Sequence, residues 1–357
     1  MKNLIDHWVR PEIRALSAYH VPAPGDLIKL DAMENPYTWD PELIEAWLDM
    51  LRGVSVNRYP DPSSSQLKAR LREAMAVPQG ADILLGNGSD EIIQMIAMAL
   101  AQPGRVVMAP EPSFVMYRMI ATFVGMDYVG VPLNAHFQLD RDATLAAIAE
   151  HQPAVIFLAY PNNPTGNLFP VEDVEAILRA AEGLVVVDEA YAPFTDASFM
   201  SRLGEFPNLV VMRTVSKMGL AGLRLGLLAG NPAWLNEFDK LRLPYNINVL
   251  TQVSADFALA NAEVFDRQTA AIRAERERML IELRGIPGLT VYPSDANFIL
   301  LRTPEGRADG IFIALKTAGV LIKNLSGVGG PLVDCLRVTV GRPEENDAFL
   351  AGLRGAL

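Results

Sequence analysis

The stretch Leu184-Val185-Val186-Val187-Asp188-Glu189-Ala190-Tyr191 decides the fold. An apolar residue and three β-branched ones run without alternation straight into an acid. A strand wetted on one face alternates apolar and polar residues, whereas a continuous run is covered on both faces, as in a parallel sheet between helices. An acid that closes such a run sits at the mouth of the sheet, outside the carboxyl ends of the strands, where open α/β folds place their ligands.

Working outward, runs of the same kind occur at 83–85, 105–109, 128–131, 154–158, 209–213 and 225–229. Helical patterns lie between several of them, at 91–100, 113–123, 143–150 and 171–181. The last strands have less helix between them, so one antiparallel member is expected. After Asn231-Pro232 the texture changes. A long helical region, 249–284 with a break near Asn261, leads into short strands at 289–291, 298–301, 320–323 and 336–340, with a helix at 310–318. The expectation is an α/β fold. It has a mostly parallel seven-stranded sheet sandwiched by helices within a large domain, 41–250, and a smaller α+β domain, 251–357. Residues 1–40 are too short to fold alone and are expected to pack on the small domain.

Bulk properties narrow the function. The chain has 357 residues, more than one core comfortably serves. Half the residues are hydrophobic and 20% are charged, an ordinary globular balance. A net charge of −11 speaks against nucleic acid as partner, because phosphate backbones need a basic face. The single cysteine, Cys335, permits no internal disulfide and suits a reducing cytosol. The start, Met1-Lys2-Asn3-Leu4-Ile5-Asp6-His7-Trp8, carries no signal-peptide stretch, and no run approaches the roughly 18 apolar residues of a membrane span. A cytoplasmic protein acting on small molecules is expected, with no membrane, no nucleic acid and no metal.

Chemically useful residues collect just after the strands. Lys217, in Ser216-Lys217-Met218-Gly219-Leu220-Ala221-Gly222-Leu223-Arg224, follows the run 209–213 amid small residues. Burial there favours its neutral amine, the form that condenses with a carbonyl; the bland alternative is a surface lysine in a Gly-rich loop. Arg224 suits a phosphate dianion. Asp188 suits a protonated pyridine nitrogen, and Tyr191 a phenolic oxygen, although an acid pair capping a turn would look the same. Pro161-Asn162-Asn163-Pro164-Thr165-Gly166 is a rigid turn that can aim the Asn163 amide. Gly86-Asn87-Gly88-Ser89-Asp90-Glu91 joins a strand to a helix whose first N–H groups can hold an anion, unless Ser89 is simply an N-cap. Arg337 alternates with apolar neighbours on its strand and needs an anionic partner, either a substrate or a salt-bridging acid.

In this order, these marks make the chain resemble the aspartate-aminotransferase-like superfamily of pyridoxal-phosphate enzymes over nearly its whole length. Within it, Glu34-Asn35-Pro36, Asn57-Arg58-Tyr59-Pro60-Asp61, Gly86–Glu91 and Pro244-Tyr245-Asn246-Ile247-Asn248 are similar to the histidinol-phosphate aminotransferase family. The resemblance implies transamination of L-histidinol phosphate with 2-oxoglutarate, with pyridoxal 5′-phosphate held as a Schiff base on Lys217. It implies that Asp188 meets the pyridine nitrogen, that Asn163 and Tyr191 hold the phenolic oxygen, and that Phe114 stacks on the ring, where tyrosine is commoner. Gly88, Ser89, Asp90, Ser216 and Arg224 would take the cofactor phosphate, and Tyr59 would reach the neighbouring subunit's site in a homodimer. Arg337, Lys323, Asn35 and Tyr19 would contact substrate, and the Asn163–Pro164 bond would be cis. Two departures stand out. The Lys217–Arg224 spacing is one residue shorter than in many members, and Lys323-Asn324 stands where Arg-Asp is usual. An aromatic aminotransferase and a threonine-phosphate decarboxylase are the alternatives on the same scaffold.

Overall fold

Because the buried runs are apolar at every position, each can be covered on both faces. The computed structural model describes residues 2–18, 23 and 25–357. After a short strand β1 (Ile28–Lys29), the main sheet is built from β2 (Asp82–Asn87), β3 (Val106–Glu111), β4 (Asp127–Pro132), β5 (Val155–Ala159), β6 (Leu184–Asp188), β7 (Leu209–Thr214) and β8 (Leu225–Gly230). Their order is β2-β8-β7-β6-β5-β3-β4. Only β8 runs against its neighbours, β2 and β7. The chain between β7 and β8 is the turn holding Lys217, too short for the crossover a parallel pair requires.

Successive residues of the central strands enter opposite cores. Val155 and Phe157 of β5, with Val186 of β6, pack toward Ile92, Ile96 and Ile120 of the helices Gly88–Leu100 and Met116–Val124. Ile156, Leu158, Val185 and Val187 pack toward Ile148, Val174 and Ile177 of the helices Arg141–His151 and Val171–Ala180. This two-sided burial is why alternation is missing from the sequence. The sheet is therefore an α/β sandwich, as expected.

Past the sheet, the long helical region breaks at Asn261 into Val249–Ala260 and Ala262–Arg284. A second sheet follows, built from β9 (Thr290–Val291), β10 (Phe298–Arg302), β12 (Lys323–Asn324) and β13 (Cys335–Thr339) in the order β12-β13-β10-β9, entirely antiparallel. The segment expected as one strand over 320–323 is two. β11 (Val320–Leu321) pairs with β1, and Ile322 carries the chain across to β12, which pairs with β13. Residues 28–29 are thereby hydrogen-bonded to the C-terminal part of the chain. Among the described residues no helix is long and apolar enough to cross a membrane.

One close approach fixes the mouth of the sheet. A Cβ on Gly226 of β8 would lie 2.7 Å from the Gly88 carbonyl carbon and 2.8 Å from the Ser89 nitrogen. Both are backbone atoms, so no rotamer relieves the clash. Gly226→Ala is expected to cost about 1–3 kcal/mol, the range for overpacking. Thermal unfolding should show a lowered Tm, and a wild-type Tm would mean that the helix entrance has slack.

Candidate active site

Five connections bring eight side chains to a single cavity. Ser89 and Asp90 arrive from β2, Phe114 from β3 and Asn163 from β5. Asp188 and Tyr191 come from the end of β6, Lys217 from the turn after β7, and Arg224 from the residue before β8. All lie at the carboxyl edge of the parallel strands, as the topology requires.

Lys217 lies in a wide turn, Ser216–Leu220, that Gly219 bends with φ of 130°. Its Nζ is 5.7 Å from the centre of the Tyr191 ring. Burial, and then the positive charge of Arg337, lowers its pKa from 10.5 to about 8, outweighing the pull of Glu34. Roughly a tenth of the amine is therefore neutral at pH 7, far more than for an ordinary lysine, and the neutral form is the nucleophilic one.

Asp188 is buried, and burial raises its pKa to about 6. Two hydrogen bonds oppose that rise: the Tyr117 hydroxyl donates to Oδ2 at 2.7 Å and the Ala190 N–H to Oδ1 at 3.1 Å. Tyr117 is itself buried, stacked on Phe157 at 4.7 Å and edge-on to Phe114 at 5.5 Å. It was not among the expected site residues. Its only sequence signal is a place one helical turn beyond Phe114, which core packing explains equally well.

The anion cradle forms where the helix Gly88–Leu100 begins. Gly88 adopts φ of 78°, and the Arg224 guanidinium lies over it, 2.6 Å from where a Cβ would stand. The first N–H groups of that helix carry a partial positive charge toward the cavity. The Thr214 and Ser216 hydroxyls lie 2.8 Å apart beside it. Of the two acids in the first turn, Glu91 turns away, accepting from the Asn87 N–H at 2.7 Å and Asn246 Nδ2 at 2.9 Å. Asp90 does not turn away: its carboxylate faces Arg224 at 3.5 Å. The bonds from Asn246 also dock the stretch 244–248 onto this loop.

On the opposite side, Arg337 of β13 is buried. It donates to Asn163 Oδ1 at 2.5 Å and to the Asp31 carbonyl at 3.1 Å. The Asn163 amide is thus oriented through its oxygen, with Nδ2 left as the donor. The turn beneath is pinned by Asn162, which donates to the Pro112 carbonyl and to Thr165 Oγ1, and the Asn163–Pro164 peptide is cis. Lys323 stands directly opposite Arg337 in the β12–β13 register. Asn35 is close by but committed: its Nδ2 donates to the Met218 carbonyl and to Gln268 Oε1, and its Oδ1 accepts from the Tyr37 N–H. Tyr59 does not line the cavity of this chain; it is 80% exposed and stacked on Tyr245 at 4.4 Å. Tyr19 lies outside the described residues.

Three demands follow for any group that fits. It needs a carbonyl for the neutral amine, a basic ring nitrogen for the buried acid and an anion for the helix N-terminus with Arg224. Pyridoxal 5′-phosphate carries all three.

Residues 25–353 match the family described as aminotransferase class I and II. A histidinol-phosphate aminotransferase 2 of Nitrosococcus oceani is 60% identical over 353 residues, covering 99% of this chain and 98% of that one. A histidinol-phosphate aminotransferase of Chromobacterium violaceum is 54% identical over 354 residues, 99% of each chain. The crystal structure of the histidinol-phosphate aminotransferase of Sinorhizobium meliloti, in complex with pyridoxal 5′-phosphate, superposes with a TM-score of 0.86 at 25% identity, covering 98% of this chain and 97% of that one.

The Tyr117–Asp188 bond gives a direct expectation. Tyr117→Phe removes a donor that favours the carboxylate, so the Asp188 pKa should move upward from about 6. Carboxyl 13C shifts followed against pH in aspartate-labelled protein would read the change; an unmoved titration would mean that the hydroxyl does not hold the acid.

Proposed function

Because the chain belongs to the class I and II aminotransferases, and among them to the histidinol-phosphate aminotransferases, we propose that Lys217 is the amine that holds its cofactor and moves the proton of its reaction. The cofactor is pyridoxal 5′-phosphate. The reaction is the transamination of L-histidinol phosphate with 2-oxoglutarate, giving imidazole acetol phosphate and glutamate in histidine biosynthesis. The observation that carries the residue assignment is a lowered lysine pKa in the same cavity as a buried acid and an anion cradle.

Bound there, the cofactor supplies an electron-accepting ring that draws negative charge from the substrate Cα. The chain's own residues do the rest. Asp188, ionised above about pH 6, accepts from a protonated ring nitrogen and keeps it protonated. Asn163 Nδ2 and the Tyr191 hydroxyl serve the phenolic oxygen, and Phe114 covers a ring face. The backbone N–H groups of Gly88, Ser89 and Asp90, the Ser216 hydroxyl and Arg224 take the phosphate. Lys217 Nζ would hold the cofactor through its amine and, when free, would take up and give back the substrate Cα proton, work suited to a base with a pKa near its working pH.

One site must take both the amino donor and the amino acceptor, and Arg337 with Lys323 serves both. Like charges facing each other across two strands repel, and an anion between them relieves the repulsion. The phosphate of L-histidinol phosphate fills that place in one half-reaction and a glutamate carboxylate in the other. A lysine at 323 keeps the charge but not the bidentate fork of an arginine. The family resemblance implies that Tyr19 and Asn35 serve the substrate; the Asn35 amide, however, already spends its donors on the Met218 carbonyl and Gln268 Oε1.

We read the chain as a large domain, 41–250, and a small one, 251–357; of the expected N-terminal packing on the small domain, residues 28–30 pair there, whereas Arg10 donates to the Thr122 and Phe123 carbonyls and the helix Pro11–Arg14 lies against the large-domain helix Met116–Val124. The two separate sheets and the β1–β11 pairing support that division. The working unit in this reading is a homodimer in which Tyr59 reaches the neighbouring subunit's cofactor phosphate. An 80% exposed tyrosine, flanked by exposed Val56 and Leu243, supports it. A cytoplasmic setting suits a chain with one buried cysteine. The aromatic-aminotransferase and decarboxylase alternatives are not favoured by relatives 54% and 60% identical that carry the histidinol-phosphate name.

Adding L-histidinol phosphate to the yellow protein should abolish the long-wavelength absorbance, and 2-oxoglutarate should restore it. Absorbance lost to phenylalanine but not to L-histidinol phosphate would overturn the substrate. Lys217→Ala should still bind cofactor, without the covalent link, and lose at least about 1,000-fold in turnover, the scale of positioned proton transfer with its nucleophile. Near-normal turnover would overturn the role of Lys217.

A further inference from the structure

Residues 30–38 run as a strap from the small sheet to the turn that bears Lys217, and they are pinned along their length. The Leu30 carbonyl accepts from the Thr339 N–H at 2.8 Å, and the Asp31 carbonyl from Arg337. The Met33 N–H donates to Thr339 Oγ1 at 2.9 Å, while its carbonyl accepts from Asn297 Nδ2 at 3.0 Å. Met33 is held at φ of 55°, a region that non-glycine residues seldom occupy. At the far end, Asn35 Nδ2 donates to the Met218 carbonyl at 2.9 Å and to Gln268 Oε1 at 3.0 Å; Gln268 Nε2 in turn donates to the Thr38 carbonyl at 3.3 Å.

Met218 directly follows Lys217, and Gly219 breaks the helical geometry of the turn. A carbonyl in such a turn has no regular ladder to join, and Asn35 supplies its donor. The same amide touches Gln268 on the helix Ala262–Arg284. Three segments distant in sequence therefore meet at one side chain, within four residues of the carbonyl that Arg337 holds.

We propose that Asn35 is a positioning residue for Lys217, fixing through the Met218 carbonyl the turn that aims the amine and tying that turn, through residues 31–35, to the strand that carries Arg337. Both hydrogens of its amide are engaged, so it acts through the turn rather than on the substrate. The role rests on Lys217 being the cofactor-bearing amine. Anion binding at Arg337 then steadies the strap and, with it, the amine, so binding at one end of the substrate is spent on placement at the other.

Asn35→Asp is nearly isosteric and keeps the oxygen that accepts from Tyr37, but it has no hydrogen for Met218 or Gln268. Misplacement by ~1 Å costs on the order of 100-fold in rate. Asn35→Asp and Asn35→Ala should therefore lose about 10- to 100-fold in kcat, with KM for L-histidinol phosphate within about threefold. Cofactor-free N35D should also capture pyridoxal 5′-phosphate at Lys217 more slowly, as measured by borohydride trapping and mass spectrometry. Gln268→Ala, which removes one of the two anchors on a helix surface, should lower kcat less and in the same direction, and it carries the test if the Asn35 variants do not fold. Folded variants with kcat and capture rate within threefold of wild type overturn the role of Asn35. Failure of the wild-type protein to capture cofactor at Lys217 overturns the Lys217 assignment instead.

Discussion

An ammonium group is costly to bury, and the structure around Lys217 raises that cost further by facing it with cations. Burial and the fields of Arg337 and Arg224 all favour the neutral amine, against weaker opposition from Glu34 and Asp90. In the proposed function Arg337 and Arg224 serve a second purpose as anion holders. Both sides of the pocket would then combine anion binding with activation of the nucleophile. Asp188 shows the reverse economy: its charge is disfavoured by burial, and Tyr117 and the Ala190 N–H restore part of it. A ring nitrogen that brings its own proton completes what those two bonds begin.

The fold makes this possible because a parallel sheet sends every strand's carboxyl end to the same edge. The short turn between β7 and β8 forces β8 to run backward, which brings Arg224, the residue before it, to that edge as well. Close packing of Gly226 on Gly88 sets the Arg224 guanidinium over the start of the helix Gly88–Leu100, where the proposed function places one shared anion. The small sheet contributes from the other side, with Arg337 bridging to Asn163 of the large sheet's turn. The strap of residues 30–38 spans the two.

The central strands of the main sheet were legible because both faces are covered, leaving unbroken apolar runs such as 154–158 and 184–187. The break at Asn261 was legible too. Helices Pro41–Leu51, Ser65–Ala74, Pro232–Asp239 and Pro343–Ala356 were not assigned. Two of them announce themselves by a capping residue before proline, Asp40-Pro41 and Asn231-Pro232, a signal that local spacing contains. The division of 320–323 between two sheets depends on which partners lie on each side, and no local pattern encodes that. The same holds in the site. Lys217, Asp188 and Asn163 follow apolar strands and could be placed from sequence. Tyr117 sits in a helix among apolar neighbours, and its hydroxyl acquires meaning only when β6 is laid beside it. Asn35 belongs to a recognisable stretch, yet its partners Met218 and Gln268 lie about two hundred residues away in the chain.

The central claim is that this architecture lowers the pKa of one buried amine toward the physiological range. The most direct measurement is the pH dependence of acetylation at Lys217 in cofactor-free protein, followed by mass spectrometry alongside the exposed lysines. Half-maximal reactivity for Lys217 should fall near pH 8, where burial and its cationic neighbours place it. A midpoint shared with the exposed lysines, near the ordinary 10.5, would contradict the account.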